Sequence, residues 1–118
     1  MDNCLFCRIV RGEIPSEKVY ESERLIAIRD INPLCPTHVL LIPKEHVQDV
    51  LDVKNHSEPL ALLEEVQEAI AAVAEAEGVR DSGFSIVTNC GADGGQSVFH
   101  LHYHLLGGAP IPWERLKS

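Results

Sequence analysis

His100, His102 and His104 alternate with Leu101, Tyr103 and Leu105. Strand side chains repeat every two residues, so the three imidazoles share one face and the residues between them take the other. Each buried imidazole needs partners for two nitrogens, and a row of three is costly unless the rings bond in series. The row by itself suits metal ligation or attack by a neutral ring nitrogen. The preceding loop, Asn89-Cys90-Gly91-Ala92-Asp93-Gly94-Gly95-Gln96-Ser97, favours attack. Gly91, Gly94 and Gly95 permit unusual φ values and close backbone approach. Successive N–H groups in such a turn can form an anion nest, to which Gln96 and Ser97 add neutral donors. A phosphate would then sit beside the histidine row without any lysine.

Cys4 and Cys7 form a second chemical signal, a C-x-x-C pair. A redox dithiol normally follows the strand of a βαβ unit. No strand precedes this pair, so a metal half-site is preferred, with two further ligands from elsewhere. Cys35 and Cys90 are isolated and read as small buried hydrophobes.

These groups need a scaffold, and the composition bounds it. The chain has 118 residues, 45% of them hydrophobic and 24% charged, which fits a single globular domain over 1–118. The net charge of −8 argues against a nucleic-acid partner held by bulk electrostatics. No apolar stretch approaches a bilayer span, and the first residues do not read as a signal peptide. A cytoplasmic protein with reduced cysteines and no membrane partner is expected.

The pattern along the chain predicts a short helix over Asn3 to Gly12, capped by Asn3. Strands follow at Val19-Tyr20 and Leu25 to Arg29, with Ser22-Glu23 as the turn, and Val39 to Ile42 is a central strand ended by Pro43. Ser57 to Glu77 carries the clearest helical periodicity. Leu63, Val66, Ile70 and Val73 form its apolar stripe, with Glu64, Glu65, Glu68 and Glu75 on other faces. Ser57 is its expected N-cap, and Gly78 follows its end. Phe84 to Thr88 and Val98 to Leu106 are the last strands. Strands before and after one long helix predict an α+β fold with an antiparallel sheet. His56 is expected to be an exposed loop residue.

Gly94-Gly95-Gln96-Ser97-Val98-Phe99-His100-Leu101-His102-Tyr103-His104-Leu105-Leu106-Gly107-Gly108 resembles the signature of the histidine triad (HIT) superfamily, His-φ-His-φ-His-φ-φ with φ apolar. The Gly-Gly-Gln-Ser run is similar to that of the Hint branch. So are Pro36-Thr37-His38-Val39-Leu40-Leu41-Ile42-Pro43-Lys44 and the spaced residues Phe6, Ile9-Val10 and Gly12-Glu13-Ile14-Pro15. Tyr103 departs from the apolar pattern at a position facing away from the triad.

The resemblance implies the HIT-like fold and a nucleoside 5′-monophosphoramidase that acts on AMP or GMP amides through a nucleotidyl-histidine. His102 would be the nucleophile, its second nitrogen held by the carbonyl of His104. The His104 side chain would face a phosphate oxygen, and Ser97 and Gln96 would donate to the phosphate or leaving group. His100 completes the triad, and His38 would complete a hydrogen-bond relay behind it. Asp30 would accept both ribose hydroxyls, its two oxygens suiting that task; the alternative for Asp30 is a loop Asx-turn. Phe6, Ile9 and Ile28 match the base pocket, and Ile31, Asn89 and Gly95 match nucleotide contacts. For the metal, the resemblance assigns Cys4, Cys7, His46 and His100 to a structural zinc. It also implies a homodimer, with Trp113 near the active site across the interface. Two other functions compete: a Fhit-type dinucleoside polyphosphate hydrolase, and a nucleotide-binding or scaffolding module with weak catalysis.

Overall fold

The computed structural model describes residues 3–111. Its elements run α1 (Leu5–Val10), β1 (Lys18–Glu21), β2 (Leu25–Arg29), β3 (Thr37–Pro43), a 3₁₀ turn (Val50–Asn55), α2 (Pro59–Ala76), β4 (Phe84–Val87) and β5 (Tyr103–Gly107). The strands form one antiparallel sheet in the order β1-β2-β3-β5-β4. This is the expected α+β architecture, with strands on both sides of one long helix in sequence. No helix among the described residues is long and apolar enough to cross a membrane.

Strand alternation divides the core between the two faces of the sheet. Leu25, Ala27, Val39, Leu41, Leu101 and Leu105 pack with Leu62, Val66, Ala69 and Val73 of α2. Ile26, Ile28, Leu40 and Ile42 point to the other face and pack with Phe6 of α1. β2 and β3 are thus apolar on both faces because each face carries its own helix. His104 lies opposite Leu40 in the ladder, so the last triad histidine shares the α1 face.

α2 differs from the expectation in its face and its cap. Its buried residues are Leu62, Glu65, Val66, Ala69, Val73 and Ala74, while Leu63 is exposed. Glu65 is buried because its carboxylate is saturated: it accepts from Ser22 Oγ (2.6 Å), Arg24 N–H (2.8 Å) and Arg24 Nη1 (2.6 Å). The N-cap is Glu58, without a side-chain bond; Ser57 instead donates its N–H and hydroxyl to Glu45 (2.9 and 2.6 Å). Gly78 does end the helix, at φ +71°.

Three further expectations are corrected. Cys4, not Asn3, caps α1: its Sγ accepts from Cys7 N–H at 3.3 Å. His56 is buried, its Nδ1 accepting from Glu58 N–H at 2.8 Å and its Nε2 lying 3.6 Å from Glu45. Cys35 is buried as read, but Cys90 is only half-buried. Trp113 lies outside the described residues.

Candidate active site

A cavity of about 500 Å³ opens between α1 and the sheet. Phe6, Ile9 and Ile28 line its apolar end; Asp30, Ile31, His38, Ser97, His102 and His104 also line it. Nine of the expected site residues therefore meet at one cavity. Asn89, Gly95, Gln96 and His100 are not among its lining residues.

The last strand is shorter than its pattern suggested. β5 begins at Tyr103, so His100 and His102 precede it. The alternation nevertheless persists through them: Leu101, Tyr103 and Leu105 join the α2-side core, and Phe6 stands edge-on to His102 with centroids 4.9 Å apart.

The hydrogen bonds determine where each ring carries its proton. His102 Nδ1 lies 2.8 Å from the carbonyl of His100. A carbonyl only accepts, so Nδ1 carries the proton and Nε2 keeps its lone pair. This corrects the expected acceptor from His104 to His100. Leu34 N–H donates to His38 Nδ1 at 3.1 Å, and His38 Nε2 lies 2.9 Å from His104 Nδ1. With its Nδ1 accepting, neutral His38 carries its proton on Nε2 and donates it to His104 Nδ1. His104 therefore carries its own proton on Nε2. One backbone amide thus sets two tautomers in series, placing a neutral donor beside the His102 lone pair.

Burial keeps His38 and His104 neutral. It pushes His104 down to about 4, helped by the neighbouring His102 and His38. It also holds His38 below the usual imidazole range, outweighing the Asp30 carboxylate 3.5 Å away. Asp30 forms the Asx-turn considered for it and sits at the cavity. Its Oδ1 accepts from Asn32 N–H at 2.8 Å in an Asx-turn, while Asp30 also lines the cavity. Asp30, His38 and His104 converge closely enough to suggest a metal set. The Leu34 amide argues otherwise, because a metal on His38 Nε2 would force a proton onto Nδ1, against that N–H.

The glycine loop is closed on itself. Gly95 N–H donates to Ala92, Gln96 N–H to Gly91, and Gly91 N–H to Gln96 Oε1. The expected anion nest is therefore not formed by these amides. Gln96 does not present its side chain to a phosphate either: Nε2 donates to the carbonyls of Gln48 (2.8 Å) and Val98 (3.1 Å). It holds the loop so that Ser97 reaches the cavity. Asn89 acts similarly, donating to Gly94 at 2.8 Å. A Cβ on Gly94 would collide with the Cys90 carbonyl, which explains that glycine.

Cys4, Cys7, His46 and His100 form a second cluster, all four ligand atoms within 4.8 Å of one another. His100 Nδ1 lies 3.2 Å from Cys4 Sγ and 3.5 Å from Cys7 Sγ, and His46 Nδ1 lies 3.4 Å from Cys7 Sγ. Tetrahedral zinc with arms of roughly 2.0–2.3 Å would give edges of about 3.3–3.8 Å, so the donors fit. His100 donates Nε2–H to the Pro43 carbonyl at 2.8 Å, leaving Nδ1 as a lone pair facing the cysteines. Burial and the neighbouring Cys4 push the Cys7 thiol up to about 11. A divalent cation is the kind of charge that makes such a thiol a thiolate.

Leu34 N–H and the Pro43 carbonyl carry no sequence signal, since backbone groups act there. Leu5, Leu40 and Val98 also line the cavity, and nothing in the sequence singled them out as site residues.

A fold with this sheet order and a histidine row on its α1 face places the chain in a defined class. A family model described as HIT domain matches residues 11–111, and the chain belongs to that family. It is 40% identical over 111 residues to the purine nucleoside phosphoramidase of Escherichia coli K12, covering 93% of this chain and 91% of that protein. It is 44% identical over 111 residues to the 14 kDa zinc-binding protein of Zea mays, covering 92% and 84%. Among solved structures, a HIT family hydrolase from Clostridium thermocellum superposes with a TM-score of 0.86 at 47% identity, covering 94% and 95%.

Proposed function

We propose that the protein hydrolyses the P–N bond of purine nucleoside 5′-phosphoramidates through a nucleotidyl-His102 intermediate. One observation carries the reading: His102 holds its proton on Nδ1, against the His100 carbonyl, and so offers its Nε2 lone pair. Attack on phosphorus forms the Nε2–P bond. The amine departs with the bonding electron pair and takes its proton from solvent. The cationic ring that results strengthens its bond to the His100 carbonyl. The Nε2–H of His104 and the hydroxyl of Ser97 donate to the phosphoryl oxygens. Water then attacks phosphorus, releases the nucleoside monophosphate and restores the lone pair. Asp30 receives the ribose hydroxyls, with Ile31 beside it. Phe6, Ile9 and Ile28 enclose the base without polar discrimination, which admits either purine. The 40% identity to a purine nucleoside phosphoramidase supports this reaction over dinucleotide cleavage.

Cys4, Cys7, His46 and His100 would hold one zinc ion as a structural ligand set. Four protein donors leave no open position, so zinc would tie α1 to the segment before the nucleophile. The zinc-binding relative from maize supports this. The protein works as a cytoplasmic homodimer in this reading. Sedimentation at micromolar concentration should show twice the chain mass; a monomer would reject the dimer.

The deciding experiment incubates purified protein with adenosine 5′-phosphoramidate and, separately, diadenosine polyphosphates. Faster release of AMP from the amide is expected. Intact mass after a rapid acid-free quench should show a nucleotidyl adduct that His102→Gly lacks. Adduct formation in His102→Gly would overturn the mechanism. Turnover of dinucleotides alone would favour the Fhit-type reaction.

A further inference from the structure

We propose that Thr88 is a positioning residue for the nucleophile, clamping the carbonyl of His102 through its hydroxyl. This rests on the reading of His102 as nucleophile. The β4–β5 ladder runs from Phe84 opposite Gly107 to Val87 opposite His104. β5 begins at Tyr103 and β4 ends at Val87, so His102 lies just past the regular pairing. Thr88 immediately follows β4, and its Oγ1 donates to the His102 carbonyl at 2.8 Å. A side-chain hydroxyl thus continues the pairing where the backbone ladder stops.

The segment around the nucleophile is then held on both sides. Leu101 N–H donates to the Val47 carbonyl at 2.8 Å, and the His102 carbonyl receives Thr88. The His102 ring is fixed by its bond to the His100 carbonyl and by the edge of Phe6. Without the Thr88 hydroxyl, the His102 carbonyl loses its bond on the β4 side, and the peptide can tilt about Tyr103, which stays paired with Leu41. The ring magnifies such a tilt at Nε2, the atom farthest from the backbone. In-line attack tolerates little of this, since a displacement of about 1 Å can cost roughly 100-fold in rate. Thr88 does not line the cavity, so its loss should leave ground-state binding intact.

The test compares wild type, Thr88→Val and Thr88→Ser on adenosine 5′-phosphoramidate. Val keeps the shape and the β-branch and removes only the donor. Thr88→Val should lower kcat roughly 10- to 100-fold with KM within about twofold, and Thr88→Ser should restore kcat. Wild-type kcat in Thr88→Val, or a change confined to KM, would overturn the proposal. So would failure of the serine variant to restore the rate. The ring ¹⁵N and ¹³C resonances of His102 provide a readout independent of turnover. They should move in Thr88→Val and return in Thr88→Ser; unmoved resonances in Thr88→Val would also overturn it. If wild type leaves the amide uncleaved, the proposed reaction fails, and these resonances still decide the clamp. Should Thr88→Val not fold, Thr88→Ala read by the same spectra takes its place.

Discussion

Replacing His38 by leucine tests whether the tautomer of His104 is imposed from behind the triad. The substitution removes the acceptor for Leu34 N–H and the donor to His104 Nδ1, bonds of 3.1 and 2.9 Å. Each group left unpaired in a buried setting costs about 1–3 kcal/mol, so about 2–6 kcal/mol of stability is at stake. The catalytic effect is separable. His104 Nδ1 no longer has a donor facing it, so the ring can place its proton there and offer a lone pair to the phosphoryl group. Losing one preorganised donor to a developing oxyanion costs roughly 100- to 1,000-fold in kcat, which sets the ceiling for His38→Leu. His38→Gln is the control, because an amide can accept from Leu34 with Oε1 and donate to His104 with Nε2. Two-dimensional ¹H–¹⁵N spectra of histidine-labelled protein report which nitrogen carries the proton. The His104 proton should sit on Nε2 in wild type and His38→Gln, and redistribute in His38→Leu. An unchanged Nε2–H signature in the leucine variant, with wild-type kcat, would refute the series of bonds described above.

Other outcomes follow from the same geometry. Asp30→Asn keeps an acceptor for the Asx-turn but loses the carboxylate. It should weaken ribonucleotide substrates by roughly 1.5–3 kcal/mol and leave a 2′,3′-dideoxy analogue unaffected; equal losses would remove Asp30 from the ribose site. Elemental analysis should find close to one zinc per chain, and a Cys4→Ser, Cys7→Ser variant should lose it and melt lower. Unchanged zinc content and melting temperature would reject the site. Stability should fall as pH drops from about 6.5 toward about 4. His38 and His104 are held below their unfolded values, so the unfolded chain takes up protons first and is favoured. Thermal melts across that window, compared with His104→Gln, measure the contribution. A flat profile in wild type would contradict the neutral buried rings.

The residues of the candidate site were legible in the sequence because periodicity constrains direction. Alternation put His100, His102 and His104 on one face, and that survives although β5 starts only at Tyr103. Prolines, glycines and apolar runs likewise marked β2, β3 and α2 to within a few residues. The pattern erred where a long-range partner outweighed local preference. Glu65 reads as a solvent-facing acid, yet Ser22 and Arg24, more than forty residues away, make its burial tolerable. Ser57 reads as an N-cap, yet Glu45 takes its donors. Gln96 reads as a phosphate donor, yet the carbonyls of Gln48 and Val98 occupy it.

The order of residues therefore settled which side chains are available and, through alternation, which face of a strand they share. It could not determine the protons. Whether His102 keeps its lone pair on Nε2 depends on the His100 carbonyl, and the tautomer of His104 depends on the Leu34 amide through His38. Backbone groups are the same at every residue, so nothing in the order of side chains announces which of them will face a ring. Only the tertiary structure, by bringing β3 beside β5 and the loop before β3 against His38, decides where those identical groups point.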